Sequence, residues 1–452
     1  MPEHVHRRSL RNCVAVLAGI GVLSNLHSAT GLTLDTALQR TMEKNPAIQQ
    51  AKALVEEAAG TRLIIRSDNF ADIRTGGAGG AQGGKRAGEN ELQPFVFALG
   101  SLRQPLFNAA APARSRRGNT ELLIAKQRLN LAVMEHLHAA RVAFSAALYN
   151  RSLQSVREEQ HSRLDANLRS QLSRYESGVS DRGMVASARL QAQELGPRIE
   201  FARRNYADAQ LKLAQVTGEE LSPDSELPLP EGELQFVAKD VDVATESAAV
   251  LERRADLQLA RSLVDAATDE HRIIEAAYLP ALTGVIDGRY IPVSDIRQES
   301  QGGPSRSDDV ISSEMRFAGV FTWRVIDNGR VAGAALEKRK IRELNDLLRQ
   351  KLEANVPREL TRIKNQLQAI AARYKAFTHA AAVAEENIAA TERNLAEGIA
   401  SQLEFRAASL SLLEARSGLV EATFANNIAR ADWDRATGRY FEFSQDSAEN
   451  VH

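Results

Sequence analysis

Cysteine occurs once in the 452 residues, at Cys13, which leaves no partner for a disulfide and no pair of thiolates for a metal. Charge of one sign is also missing. The chain carries 57 basic and 58 acidic residues, for a formal net charge of −1, with no basic block of the kind that follows a phosphate backbone, so nucleic acid is excluded as a partner. Aromatic residues make up only 5%, little for a compact globule of this size. No stretch reaches the 18 or so consecutive apolar residues that a membrane-spanning helix needs. If the chain crosses a bilayer it must do so as β-strands closed into a barrel, the other structure that satisfies every backbone group in lipid.

Catalytic patterns are lacking as well. H-E-x-x-H, C-x-x-C and G-x-S-x-G do not occur. Gly79 to Lys85 reads G-x-x-x-x-G-K, but Arg86 stands where a phosphate-binding loop needs Ser or Thr, and the stretch reads as a polar loop. His136 and His138 are two apart on a helical segment and cannot share a face, so they do not form a metal pair. The sequence gives no reason to expect an enzyme, a cofactor or a metal.

What is present is abundant Ala, Leu, Arg, Glu and Gln, the composition of long helices. Residues 1–31 read as a signal peptide: Arg7, Arg8 and Arg11 precede an apolar run from Cys13 to Leu26, and Ala29-Thr30-Gly31 supplies small residues for cleavage. Cys13 would leave with it. The rest is duplicated. Glu43 to Ala51 corresponds to Glu252 to Ala260, Gln104-Pro105-Leu106-Phe107-Asn108 to Trp323-Arg324-Val325-Ile326-Asp327, Tyr175-Glu176-Ser177-Gly178 to Leu395-Ala396-Glu397-Gly398, and Thr217-Gly218 to Thr437-Gly438. The order of the matches is kept and the interval is nearly constant. Residues 32–218 and 244–440 are therefore two copies of one unit (helix, hairpin, long helix, Gly turn, helix), joined by a Pro-containing connector, 219–243, and followed by a tail, 441–452.

In each copy the spacing predicts a helix of about 100 Å, over Ala109 to Ser177 and Gly329 to Glu397. Shorter helices follow, Val179 to Thr217 and Ile399 to Thr437, and a leading helix spans Thr33 to Arg66. Two short helices end to end would match one long one. Leu360, Ile363, Leu367, Ile370, Tyr374 and Phe377 advance by alternating threes and fours, the 3.5-residue period of a coiled-coil seam. Ile199 to Val216 and Leu129 to Phe144 carry the same stripe. Pro197 and Pro357 are expected to kink their helices.

The hairpins are placed at 64–107 and 281–327. From Glu314 to Ile326, Met315, Phe317, Phe321 and Trp323 fall on one face and Glu314, Arg316 and Arg324 on the other. In the partner strand, Leu282 to Tyr290, Asp287 and Arg289 oppose Leu282 and Ile286. A dozen alternating residues suit a tilted transmembrane strand with apolar residues toward lipid and charges toward a lumen. In the first copy Phe95 to Leu102 makes a strand and Ile64 to Arg74 a poor one. Gly76 to Leu92 and Val293 to Ser313 read as external loops. Four strands cannot close a barrel, so the edges demand other copies.

Leu32-Thr33-Leu34-Asp35-Thr36-Ala37-Leu38 followed by Asn45-Pro46, then Gln104-Pro105-Leu106-Phe107, Arg174-Tyr175-Glu176-Ser177-Gly178 and Ala277-Tyr278-Leu279-Pro280 together resemble the TolC family of outer-membrane efflux proteins, over nearly all of Leu32 to Tyr440. The resemblance implies a mainly α protomer with β-hairpins, a homotrimer with a 12-stranded barrel in outer-membrane lipid, and an α-helical tunnel through the periplasm. It also implies a periplasmic adaptor and an inner-membrane pump as partners. Gly178 and Gly398 would be the turns at the periplasmic tip where the adaptor docks, beside the plainer reading of ordinary helix caps. Glu404 falls where the family places the first acid of a narrow entrance ring. The second acid is absent, its place being Ala407; Arg406 lies close by, and the first copy has Met184 instead. The alternative is a periplasmic coiled-coil adaptor or scaffold, which would need a lipoyl-like β-domain that the sequence does not offer.

Overall fold

The computed structural model describes residues 31–82, 93–220, 226–298 and 306–439. Cys13 and nearly all of the leader, the tail 441–452, and the tips of both hairpins lie outside these. The first unit contains α1 (Leu34–Lys44), α2 (Pro46–Ser67), β1 (Asp72–Gln82), β2 (Gln93–Phe107), α3 (Ala111–Glu176) and α4 (Arg182–Thr217). The second contains α5 (Val243–Arg253), α6 (Ala255–Glu275), β3 (Ala281–Gln298), β4 (Arg306–Thr322), α7 (Arg330–Glu397) and α8 (Gln402–Ala436).

The single leading helix expected over Thr33 to Arg66 is broken in two. Asn45, before Pro46, is pushed out of the helical region, to φ −63° and ψ 123°, because the proline ring crowds the preceding residue. Its Oδ1 accepts from the Ala47 N–H at 2.9 Å and so caps α2, while its Nδ2 donates to the Val216 carbonyl at 2.8 Å. Arg254 makes the matching break in the second copy without a proline, at φ −67° and ψ 126°, and donates to the Ala436 carbonyl at 3.4 Å. At both joints the C-terminus of a short helix meets the N-terminus of the next. Dipoles of opposite sign are thereby set together.

Each long helix is flanked along its length by two shorter helices, α3 by α2 and α4, and α7 by α6 and α8. Along α3, Gly118 faces Ile65; Val133 and Leu137 pack on Ile48 of α2; Phe144 and Leu148 pack with Leu213 and Val216 of α4. Leu360, Ile363, Leu367 and Ile370 of α7 bury against Leu257 of α6 and Trp433 of α8. Nearer the Gly turns, one cluster joins all four rods: Leu164 of α3, Leu195 and Ile199 of α4, Ile388 and Leu395 of α7, and Phe405 and Leu412 of α8. Helices α4 and α7 run on past Pro197 and Pro357.

The strands form one antiparallel sheet in the order β1-β2-β3-β4, so β2 and β3 join the two copies. The first hairpin starts at Asp72, not at residue 64, because Ile64 belongs to the last turns of α2. Gly76 to Gln82, expected as loop, is strand: Gly77 pairs with Ala98 and Gly79 with Val96. A ladder needs only backbone groups, and a Cβ at Gly77 would meet the Phe97 carbonyl at 2.7 Å. Likewise β3 continues to Gln298 and β4 begins at Arg306, converting much of the expected Val293 to Ser313 loop into strand. At its other end β4 stops at Thr322, which pairs with Ala281. Pro280 precedes Ala281 and has no N–H to extend the ladder. Trp323 and Arg324 therefore lie beyond the strand in which they were expected, and the Trp323 indole donates to the Tyr278 carbonyl at 3.1 Å.

At the first joint Gly218 has φ 73°, and a Cβ there would lie 2.6 Å from the Lys44 carbonyl oxygen. Gly218→Ala should lower the unfolding free energy by about 1–3 kcal/mol, read as a lower guanidinium midpoint in detergent. Gly178→Ala, with the same φ but open space around it, should cost only about 1 kcal/mol.

Candidate functional site

Register assigns the two faces of the sheet. Ile73, Leu102, Ile286 and Phe317 form one cross-strand row, Gly100, Gly288 and Met315 the next, and Leu282 sits opposite Phe321. Phe317, Met315 and Phe321 are 70%, 65% and 63% exposed, so this is an uncovered apolar face. On the other face Asp287 pairs with Arg316 and Arg289 with Glu314, opposite charges set directly across strands. Within strands, Arg316 donates to Glu314 at 3.0 Å and Arg74 to Asp72 at 2.7 Å. This face holds an open depression of about 470 Å³, lined by Arg74, Ser101, Asp287, Arg289, Glu314 and Arg316 with the apolar Leu99 among them. Trp323 and Arg324 belong to neither face of the sheet.

At the far end of the rods Gly178 and Gly398 take left-handed φ values of 73° and 78°. Val179 N–H donates to Arg174 O and Ile399 N–H to Asn394 O, each at 2.8 Å, the six-to-one bond of a Schellman cap. The two turns lie side by side, since the Arg174 guanidinium reaches the carbonyls of Leu395 and Ala396. Val179, Ile399 and Leu403 are 66%, 72% and 74% exposed, an apolar patch at the end of a charged rod. Sequence reasoning gave the glycines a role but gave none to Arg174 or to these apolar side chains.

Glu404 is the third residue of α8 and closes a capping box. Its carboxylate accepts from the Ser401 N–H at 2.6 Å and the Ser401 hydroxyl at 2.9 Å, and its own N–H donates to Ser401 Oγ at 3.2 Å. The pattern Ser401-x-x-Glu404 was a signal for this. Met184 holds the equivalent place in α4, whose cap is Asp181. Arg406 does not neutralise Glu404 but donates to Glu194 of α4 at 2.9 Å. Other ion pairs bind the rods here, notably Arg416 of α8 between Glu159 of α3 and Glu385 of α7, at 2.5 and 2.7 Å.

Midway, the connector crosses the rods. The Pro228 carbonyl accepts from Gln210 of α4 and that of Pro230 from Arg151 of α3. Asn427 of α8 donates to Gln235 O, and Phe236 stacks on Tyr374 of α7 at 3.9 Å. Lys239 meets Asp434 of α8 at 2.7 Å. Burial alone would raise the Asp434 carboxyl, but Lys239 and Arg141 outweigh it and hold it below its ordinary value. Among the described residues no helix is long and apolar enough to cross a membrane, and no cluster of His, Cys, Asp and Glu could hold a metal.

The backbone and hydroxyl bonds from Ser401 hold the Glu404 carboxyl below its usual pKa of 4.5. A lowered carboxyl pKa contributes stability that is complete above the ordinary value and is lost as pH falls through the lowered one. Hydrogen-exchange protection of the Glu404 and Phe405 amides, corrected for intrinsic rates, should therefore fall on acidification below that range. It should stay flat in Glu404→Gln, whose amide can still cap.

No family model matches the sequence. The alkaline protease secretion protein AprF of Pseudomonas aeruginosa is 23% identical over 415 residues, covering 90% of this chain and 82% of that protein. The outer membrane protein VceC of Vibrio cholerae superposes with a TM-score of 0.74 at 16% identity, covering 90% of this chain and 96% of VceC. CusC superposes with a TM-score of 0.77 at 15% identity, covering 90% of this chain and 92% of CusC. Both solved proteins thus share this fold over nearly their whole length. The chain has the fold of the TolC-type outer-membrane channels, the family its motifs resemble.

Proposed function

We propose that the chain is one protomer of a homotrimeric outer-membrane channel. It conducts substrates passively from a periplasmic adaptor and inner-membrane pump to the outside, in tripartite efflux or type I secretion, and performs no chemistry of its own. The observation that carries this is the open sheet of four strands, the outer edges of β1 and β4 being unpaired among the described residues, with an exposed apolar face and a hollow charged face. Three copies supply twelve strands, which remove every edge. Met315, Phe317 and Phe321 then face lipid, and Asp287, Arg289, Glu314 and Arg316 face the lumen. The adaptor alternative has less support, since the described strands all belong to this one sheet. AprF, named for alkaline protease secretion, favours the secretion branch.

In this reading the turns at Gly178 and Gly398, with Val179 and Ile399 exposed beside them, receive the adaptor. Glu404, exposed and kept ionised by its cap, lines the entrance. Three carboxylates about one axis would attract cations and favour divalent block.

The wild type should extract from outer membranes only with detergent, as a trimer, and open cation-selective conductances in planar bilayers. A water-soluble monomer would end the barrel reading. Phe317→Arg should cost about 2–4 kcal/mol of membrane-inserted stability near the bilayer midplane, seen as a loss of inserted protein. Glu404→Gln, which preserves the cap, should lose cation preference and divalent block; unchanged selectivity removes Glu404 from the entrance. Gly178→Asp and Gly398→Asp should abolish export in cells while trimer levels hold, and normal export in both would remove the docking role.

A further inference from the structure

The helical layer has open edges of its own. Beneath the sheet the rods run in the order α2, α3, α6, α7, with α2 packed on α3 and α7 on α6. On α2 the side toward α3 holds Ile48, Ala51 and Ala58. At 100° per residue, Glu56, Gly60 and Leu63 point the other way, and Ile64 flanks them; Leu63 and Ile64 are 67% and 68% exposed. On α7 the side toward α6 carries Lys338, which meets Glu270, and Asn345, which donates to Leu263 O at 3.3 Å. The opposite stripe is Leu336, Lys340, Glu343 and Leu347, with both leucines 56% exposed.

The two stripes match in depth. Counted from Ser67, where α2 meets the sheet, Leu63 lies about 6 Å down and Glu56 about 16 Å. Counted from Arg330, where α7 leaves it, Leu336 lies about 9 Å down and Lys340 about 15 Å. An apolar band followed by a charge occurs on both edges, and the charges are opposite. Gly60, with nothing within 4 Å of a Cβ built on it, leaves room between them. Within one protomer Lys340 reaches Glu343 at 2.7 Å, so its ammonium already sits on this stripe with donors to spare.

We infer that α2 of one copy docks on α7 of the next, with Leu63 and Ile64 against Leu336 and with Lys340 bridging Glu343 of its own chain and Glu56 of the neighbour. The occupant of each open edge is a second copy of this chain in a head-to-tail contact that closes into a ring. This rests on the ring reading above and assigns the contact that sets its register under the barrel.

The test uses full-length protein with Cys13→Ser, so that introduced thiols are the only ones. Glu56→Cys together with Lys340→Cys should give a covalent trimer on non-reducing gels that collapses to monomer with reductant. Glu56→Lys and Lys340→Glu should each shift the dissociation temperature of the detergent-extracted oligomer downward, and the double reversal should bring it back. An oligomer that forms normally but neither cross-links nor responds to single reversals overturns this inference alone, as does a double reversal no better than the singles. A wild type that stays monomeric overturns the ring itself. Cross-linking of the oligomer to a different protein through these positions, in place of a second copy, also overturns the assignment.

Discussion

A helix of 66 or 68 residues presents an apolar stripe about 100 Å long, and neither copy contains another helix long enough to cover it. The rest of the molecule follows from how that mismatch is met. A helix of 36 residues covers the half nearer the tip and one of 22 covers the half nearer the sheet. The joint between them must leave no backbone group stranded. It is made twice with different chemistry: Asn45 with Pro46 in one copy, and Arg254 between Asp256 and Glu359 in the other, at 2.8 and 2.6 Å. Both joints reach a carbonyl at the end of the abutting helix, and both end that helix on a left-handed glycine, Gly218 or Gly438. Geometry is retained where residue identity is not.

That distinction governs what could be read in the sequence. The long helices were legible because their stripes are periodic and glycines mark their ends, and β4 because its side chains alternate. Strand β1 was not. From Gly76 to Ala81 it has almost no side chains to alternate, yet its backbone pairs residue for residue with β2. The break at Asn45-Pro46 had a local signal in the proline, overridden by the periodicity on either side, whereas the break at Arg254 had none. The end of β4 was set by Pro280, just before the partner strand β3, a non-local cause, and so Trp323 and Arg324 were placed in a ladder that had already stopped. The Gly turns were visible as turns, but that Arg174 ties one to the other depends on the copies lying side by side.

Charge is spent differently in the two halves. On the rods, carboxylates and guanidinium groups pair between helices: Arg116 with Asp269 and Arg117 with Glu270 across α3 and α6, Lys338 with the same Glu270 from α7. These pairs are part-exposed and individually contribute little, but alternating signs from rod to rod penalise a wrong neighbour. On the sheet the pairs run across and along strands on the hollow face, leaving the opposite face apolar. The near-zero net charge is therefore a sum that includes many pairs of opposite sign set between neighbouring rods and strands.

Each strand leads directly into a rod: α2 into β1, β2 into α3, α6 into β3, β4 into α7. The sheet and the helical layer consequently end at the same two places, one edge at β1 and α2, the other at β4 and α7. An unpaired strand edge exposes backbone groups that no lipid can satisfy, so in the proposed barrel the sheet closes on another copy. Because strands and rods are continuous chain, closing the sheet brings α7 of one copy beside α2 of the next. A helical edge that repelled its neighbour would oppose the barrel above it. The depth match of Leu63 with Leu336 and Glu56 with Lys340 is what that shared closure requires. One symmetry operation can then satisfy the backbone in the membrane and the side chains below it together.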